Sequence, residues 1–150
     1  MIDMDRIGAR ARDAGIRVAV AESLTCGLLA SRIGRAERAG EWFAGGVVAY
    51  QTRTKQRVLG VAEGLDPVSA ACAEQLAAGM HRLLDVDLAI AVTGVGGPDP
   101  QDGHDPGTVY VGWCDASGPG SRLVMLAGPP EQVLEGAIAA ALTELDRLVR

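Results

Sequence analysis

The segment "DLAIAVTG", residues 87 to 94, constrains the fold more than any other stretch. Leu88 to Val92 are consecutive apolar residues that leave no polar face to turn toward water. Such a strand is covered on both faces, as in a sheet enclosed by helices. "RVAVAE" (17–22) and "GGVVAY" (45–50) read as further strands. Helical spacing marks residues 3–13, ended near Gly15, and residues 25–36, where Leu29 and Ile33 lie four apart. "TRTKQRVLG" reads as a short helical turn. Asp66-Pro67-Val68-Ser69 is a turn whose serine caps the next helix, which carries Cys72, Leu76, Met80 and Leu83 as a core stripe. "GTVYVGWCD" and "SRLVMLA", joined by "ASGPGS", form an antiparallel hairpin, and a last helix spans about 130–149 with Leu134, Ile138, Leu142 and Leu145 at helical spacing. The expected fold class is α/β: a three-layer α/β/α domain with a mixed sheet of about five to six strands.

A chain of 150 residues suits one domain, residues 1–150. At that size roughly 68–70% of the unfolded surface is buried, so no disulfide or metal staple is needed. No apolar run approaches the ~20 residues of a membrane span, and "MIDMDRIGARARDAG" is too charged for a secretory signal. Cys26, Cys72 and Cys114 are too widely spaced for a disulfide framework or a zinc pattern, so a reducing cytoplasm is the expected setting. The net charge is −5 with two Trp, two Tyr and one Phe, which argues against a basic, stacking nucleic-acid surface. The expected partner is a small molecule, with no nucleic acid and no membrane. A homo-oligomer, dimer or higher, is the expected assembly, from exposed apolar helix faces in so small a chain.

Ligands of open α/β sheets gather at the carboxyl ends of the strands. Three polar segments fall there: Glu22–Gly27, Tyr50–Lys55 and Thr93–Pro98. In the first, Ser23 or Thr25 caps the following helix, or the helix start presents N–H groups to an anion or oxyanion. A serine at that point attacks a carbonyl carbon once a base removes its proton. In the second, Lys55 is either an ordinary solvated lysine or, if its proton affinity is lowered, that general base. Arg53 and Arg57 are surface charges or steer an anionic substrate. In the third, "TGVGGPDP", the glycines either turn the chain out of a buried strand or aim backbone N–H groups at a phosphate or oxyanion. Asp99, Asp102, His104 and Asp105 follow in an irregular stretch of a length that is often functional. A solvated acidic loop explains them better than a metal site, since their spacing is loose. His81 reads as a surface residue, and Cys26 as a thiol at a helix start.

"AESLTCGLL", "GGVVAYQTRTKQRVLGV" and "AVTGVGGPDPQDGHDPGTVYV" together resemble the A-E-S-x-T-G-G, G-x-V-x-Y-x-x-x-x-K-x-x-x-L-G-V and (S/T)-G-x-x-G-P…G-T-V-(Y/W) signatures of the CinA C-terminal domain. This is the nicotinamide-nucleotide amidase family, and the likeness runs from about residue 5 to 148. The competence-damage-inducible proteins carry this domain behind a larger one, so the resemblance implies a stand-alone domain here. It implies hydrolysis of nicotinamide mononucleotide to nicotinate mononucleotide and ammonia, in pyridine nucleotide recycling, with no cofactor and no metal. Ser23 would be the nucleophile and Lys55 its base, with Tyr50 assisting proton transfer or positioning and Thr93 orienting the amide or helping to hold the substrate. Glu22, Thr25, Cys26, Gly27, Arg53, Gly94, Gly96 and Gly97 would contribute substrate binding, with an oxyanion hole near Thr25–Gly27 or Gly94–Gly97. The chain departs from the family pattern at Cys26 (glycine), Thr52 (often Asn), Gly40-Glu41, and Pro129-Pro130 in place of Asp-Arg. Two other readings remain: the same chemistry on another small amide, or a non-catalytic nucleotide-binding paralogue.

Overall fold

The computed structural model describes residues 1–150. In chain order the elements are α1 (Met4–Ala14), β1 (Val18–Glu22), α2 (Leu28–Gly34), a 3-10 turn (Ala39–Glu41), β2 (Phe43–Val48), α3 (Thr52–Leu59), α4 (Ala70–Leu84), β3 (Leu88–Gly94), β4 (Thr108–Asp115), β5 (Gly118–Met125) and α5 (Pro130–Leu148). One mixed sheet of five strands runs β2-β1-β3-β4-β5. β1 is parallel to β2 and β3, whereas β4 is antiparallel to both β3 and β5. No helix is long and apolar enough to cross a membrane.

The central strands are apolar on both faces, and the faces differ in size. Val18 and Val20 of β1, with Ile90 and Val92 of β3, pack into a core with Ile7, Leu29, Ile33 and Trp42, and with Val133, Ile138 and Leu145 of α5. Ala19, Ala21, Ala89 and Ala91 point the other way, against Leu59 of α3 and Cys72, Leu76 and Met80 of α4. Alternation with period two sorts bulky residues to one layer and alanines to the other. The alanine face lets α4 lie close on the sheet. A Cβ on Gly112 of β4 would come within 2.2 Å of the Ala73 carbonyl oxygen. On the bulky side, buried Glu144 of α5 accepts from Arg122 of β5 at 2.9 Å and from Arg147 at 2.6 Å, tying the last helix to the edge strand.

Several local expectations are corrected. The second helix begins at Leu28, not residue 25, because Leu24–Gly27 form a turn with Cys26 at φ 48° and Gly27 at φ 95°. Neither Ser23 nor Thr25 caps it: Gly27 occupies the N-cap without a side-chain bond. β2 spans Phe43–Val48, so Tyr50 lies beyond the strand. The hairpin turn is Ala116-Ser117 alone, since Gly118 to Ser121 pair with β4. Leu83 is half exposed and lies outside the α4 core stripe, while Ser69 caps α4 by accepting from Cys72 N–H at 3.1 Å.

Candidate active site

The parallel strands β2, β1 and β3 end at one edge of the sheet, and antiparallel β4 begins there. A cleft of about 390 Å³ opens at that edge. Ser23, Tyr50, Lys55, Thr93, Gly94, Gly96 and Gly97 all line it, together with Thr52, Pro67, Asp99, Asp102 and Pro130. Glu22, Thr25, Cys26, Gly27 and Arg53 lie outside the lining.

Ser23 follows β1 directly. Its backbone N–H continues the pairing with β3 by donating to Val92 O at 3.0 Å. The residue is 7% exposed, and its hydroxyl has no hydrogen-bond partner within the protein. The turn that follows is braced from beneath by Glu22, itself 1% exposed. Glu22 Oε1 accepts from Thr25 Oγ1 at 2.6 Å and Leu29 N–H at 2.8 Å, and Oε2 accepts from Ala30 N–H at 3.0 Å. The carboxylate therefore satisfies the free N–H groups at the start of α2, and the hydroxyl of Thr25 is turned inward to it. Glu22 and Thr25 hold the turn that carries Ser23. Cys26, at the outer corner of that turn, is exposed.

Lys55 stands on the buried stripe of α3 one turn before Leu59, and is 3% exposed. Its Nζ donates to the Tyr50 carbonyl at 3.1 Å. Burial disfavours the ammonium and lowers the Lys55 pKa from the ordinary lysine value, while Cys72, where ionised, and Asp102 act in the opposite sense. Burial pushes the Cys72 thiol up to about 11, so near neutrality it is a protonated thiol and no rival nucleophile. The Tyr50 side chain is exposed at the rim.

Thr93 is buried, and its Oγ1 donates to Pro67 O at 2.6 Å. Its hydroxyl proton therefore joins β3 to the turn before α4, leaving lone pairs on the oxygen. Gly94 admits no side chain: a Cβ there would stand 2.5 Å from Thr108 O. Beyond it, the N–H groups of Gly96 and Gly97 make no hydrogen bond within the protein, and both residues line the cleft. They are donors available to a developing oxyanion. Asp99 and Asp102 bring carboxylates to the same loop wall, whereas His104 turns away to pair with Asp66 at 2.7 Å. No three metal-ligating side chains converge anywhere in the chain. Asp66 and Pro67 escaped sequence reasoning as site residues, because a D-P-x-S stretch signals only a turn and a helix cap.

The cleft is lined by an unpartnered hydroxyl, a buried amine of lowered proton affinity and free backbone donors, group types that can serve acyl transfer. The family model described as the CinA C-terminal domain matches residues 3–149. A protein named as competence-damage inducible from Bacillus velezensis is 49% identical over 105 residues, 67% of this chain and 25% of that relative. A CinA-like protein from Frankia casuarinae is 38% identical over 136 residues, 88% of this chain and 31% of its own length. The chain thus spans between a quarter and a third of these curated relatives. Among solved structures, a competence-damaged protein (CinA) superfamily protein from Escherichia coli superposes with a TM-score of 0.92 at 31% identity, over 97% of this chain and 87% of that one. The Enterobacter cloacae superfamily protein gives 0.93 at 28% identity, over 100% and 94%. With its sequence and its overall fold in agreement with these relatives, the chain belongs to the CinA C-terminal domain family.

Proposed function

We propose that the cleft hydrolyses a carboxamide through a Ser23 acyl-enzyme, with nicotinamide mononucleotide as substrate and nicotinate mononucleotide and ammonia as products. One observation carries the reading: the free hydroxyl of Ser23 and the buried amine of Lys55 line the same cleft. Neutral Lys55 takes the proton as Ser23 Oγ attacks the amide carbon. The oxyanion is met by the N–H groups of Gly96 and Gly97. Lys55 returns the proton to the leaving nitrogen, and ammonia departs. Water then attacks the ester with Lys55 again as base, and the Ser23 hydroxyl is restored. The Tyr50 carbonyl keeps Nζ in place throughout.

Ammonia release from nicotinamide mononucleotide tests this directly. Ser23→Ala is expected to abolish it, and Lys55→Ala to lower kcat by about 10²–10⁴-fold. Undiminished release by Ser23→Ala would overturn the reading. Because Lys55 must be neutral to act, kcat/KM rises with pH through a midpoint below the ordinary lysine value.

The charge of the cleft favours a second reading. Asp99 and Asp102 outnumber Lys55 in the lining, Arg53 stands outside it, and Pro130 occupies the wall from α5. Such a lining suits a small amide without a phosphate group. Turnover of an uncharged carboxamide in preference to the mononucleotide would select this substrate class with the same residues in the same roles.

A further inference from the structure

The loop 95–107 forms one wall of the cleft, and its stem is tied to the sheet. Val95 N–H donates to Thr108 O at 2.9 Å, and Gly107 N–H donates to Val95 O at 2.8 Å. At its tip, Gln101 and His104 exchange backbone hydrogen bonds of 3.0 and 2.9 Å across Asp102 and Gly103, both at positive φ. At the stem Thr108 N–H also meets Asp105 O and Leu126 N–H donates to Gly107 O at 2.8 Å; between residues 96 and 106 one hydrogen bond joins the loop to a distant element. It runs from His104 Nε2 to Asp66 Oδ2, 2.7 Å apart.

Asp66 is a firm anchor. Its Oδ1 accepts from Val68 N–H at 2.9 Å, and its carbonyl accepts from Ser69 Oγ at 2.7 Å. Ser69 caps α4, and neighbouring Pro67 accepts from Thr93 of β3. Burial alone would raise the Asp66 carboxyl. The hydrogen bonds from His104 and Val68 N–H outweigh it and hold the group below the usual carboxylate range. The anchor is therefore charged at neutral pH, and the loop tip hangs from it by one side chain.

We propose that the His104–Asp66 contact is a clamp that holds the loop tip in the cleft wall, where Asp102 shares the lining with Lys55. His104 and Asp66 are then positioning residues for the Ser23–Lys55 pair, an inference that rests on the acyl-transfer reading above. The groups acting on Lys55 are few: Asp102 from the loop, the Tyr50 carbonyl, and Cys72 from α4 only where its thiol is ionised. Asp66 acts on Cys72 in turn. Asp102 favours the Lys55 ammonium, so release of the tip removes that influence and lowers the Lys55 titration midpoint. A role confined to stability would leave the midpoint where it is.

The test is an NMR titration of the Lys55 side chain in the full chain, beside kcat and KM on nicotinamide mononucleotide. His104→Ala is expected to lower the midpoint and to reduce kcat/KM about tenfold to a hundredfold, as misplaced catalytic groups do. His104→Gln, whose amide nitrogen can still donate to Asp66, is expected to restore both toward wild type. Asp102→Asn should lower the midpoint alone, and His104→Ala should add little to it in the double variant, because both act through one carboxylate. An unchanged midpoint in His104→Ala, or fully additive shifts in the double variant, would overturn the clamp. Absence of wild-type ammonia release would count against the acyl-transfer reading instead, since the Lys55 titration decides the clamp without turnover.

Discussion

Lys55 occupies a position on α3 that an apolar side chain would fill with less loss of hydration. Its folded-state pKa lies below the unfolded value of 10.5. Below the folded pKa both states carry the proton, and the native state bears the full penalty of a buried charge. Between the two values the unfolded chain binds more protons, so stability rises with pH, and above the unfolded value the penalty is gone. Lys55→Met is therefore expected to stabilise the protein near neutrality by on the order of 1 kcal/mol, even though methionine cannot donate to the Tyr50 carbonyl. The gain should shrink as pH approaches 10, which urea denaturation of both proteins at pH 7 and pH 10 would read. An equal gain at both values would mean that packing, and not the charge, sets the difference. Glu22 is the opposite case, a buried carboxylate met by three donors. In the sequence Glu22 reads as a polar group at a strand end and Lys55 as one a turn into the next helix. Their burial and the direction each one faces come from tertiary packing, to which neither period nor propensity refers.

Helices α3 and α4 place Lys55, and a glycine sets their spacing. A Cβ on Gly79 of α4 would stand 2.0 Å from the carbonyl oxygen of Leu59, the last residue of α3. Gly79→Ala must push α3 off the sheet or distort α4, with an expected loss of about 1–3 kcal/mol. Since α3 carries Lys55, kcat should fall with it, whereas Gly34→Ala, with nothing within 4 Å of the added carbon, should leave kcat unchanged. Thermal melting beside steady-state kinetics separates the two. The elements themselves were legible wherever local chemistry decides them, as at the Gly15 end of α1 and the Ser69 cap of α4. They were misplaced where a distant group decides. The start of α2 is set by Glu22 reaching from β1, not by a hydroxyl in the first turn. In the hairpin, Gly120 looks like a turn residue but pairs with Trp113, and a Cβ there would meet the indole at 2.4 Å. The glycine makes room for a ring.

At the scale of the molecule, parallel pairing converts three separate motifs into one site. Ser23, Tyr50 and Thr93 belong to segments far apart in sequence, yet β1, β2 and β3 deliver them to a single cleft. That convergence was legible from strand order of the usual α/β kind. The His104–Asp66 link was not, because it joins two turns thirty-eight residues apart through side chains alone. The same sheet divides the interior. Ile138 lies in the core beneath α1, α2 and α5, and Leu76 in the one beneath α3 and α4, with the strands between them. Ile138→Val should cost about 0.5–1.5 kcal/mol and Leu76→Ala about 2–5 kcal/mol. Residues on opposite faces of a sheet share no partner, so the double variant should lose their sum to within about 0.5 kcal/mol, in one cooperative transition. Ile138→Val paired with Leu29→Ala, both in the first core, should depart from the sum because one cavity relaxes into the other. Coupling across the sheet as strong as coupling within one face would mean that the strands transmit repacking between layers. In that case a change behind the sheet, at α5, would reach Lys55, and kcat of Ile138→Val would report it.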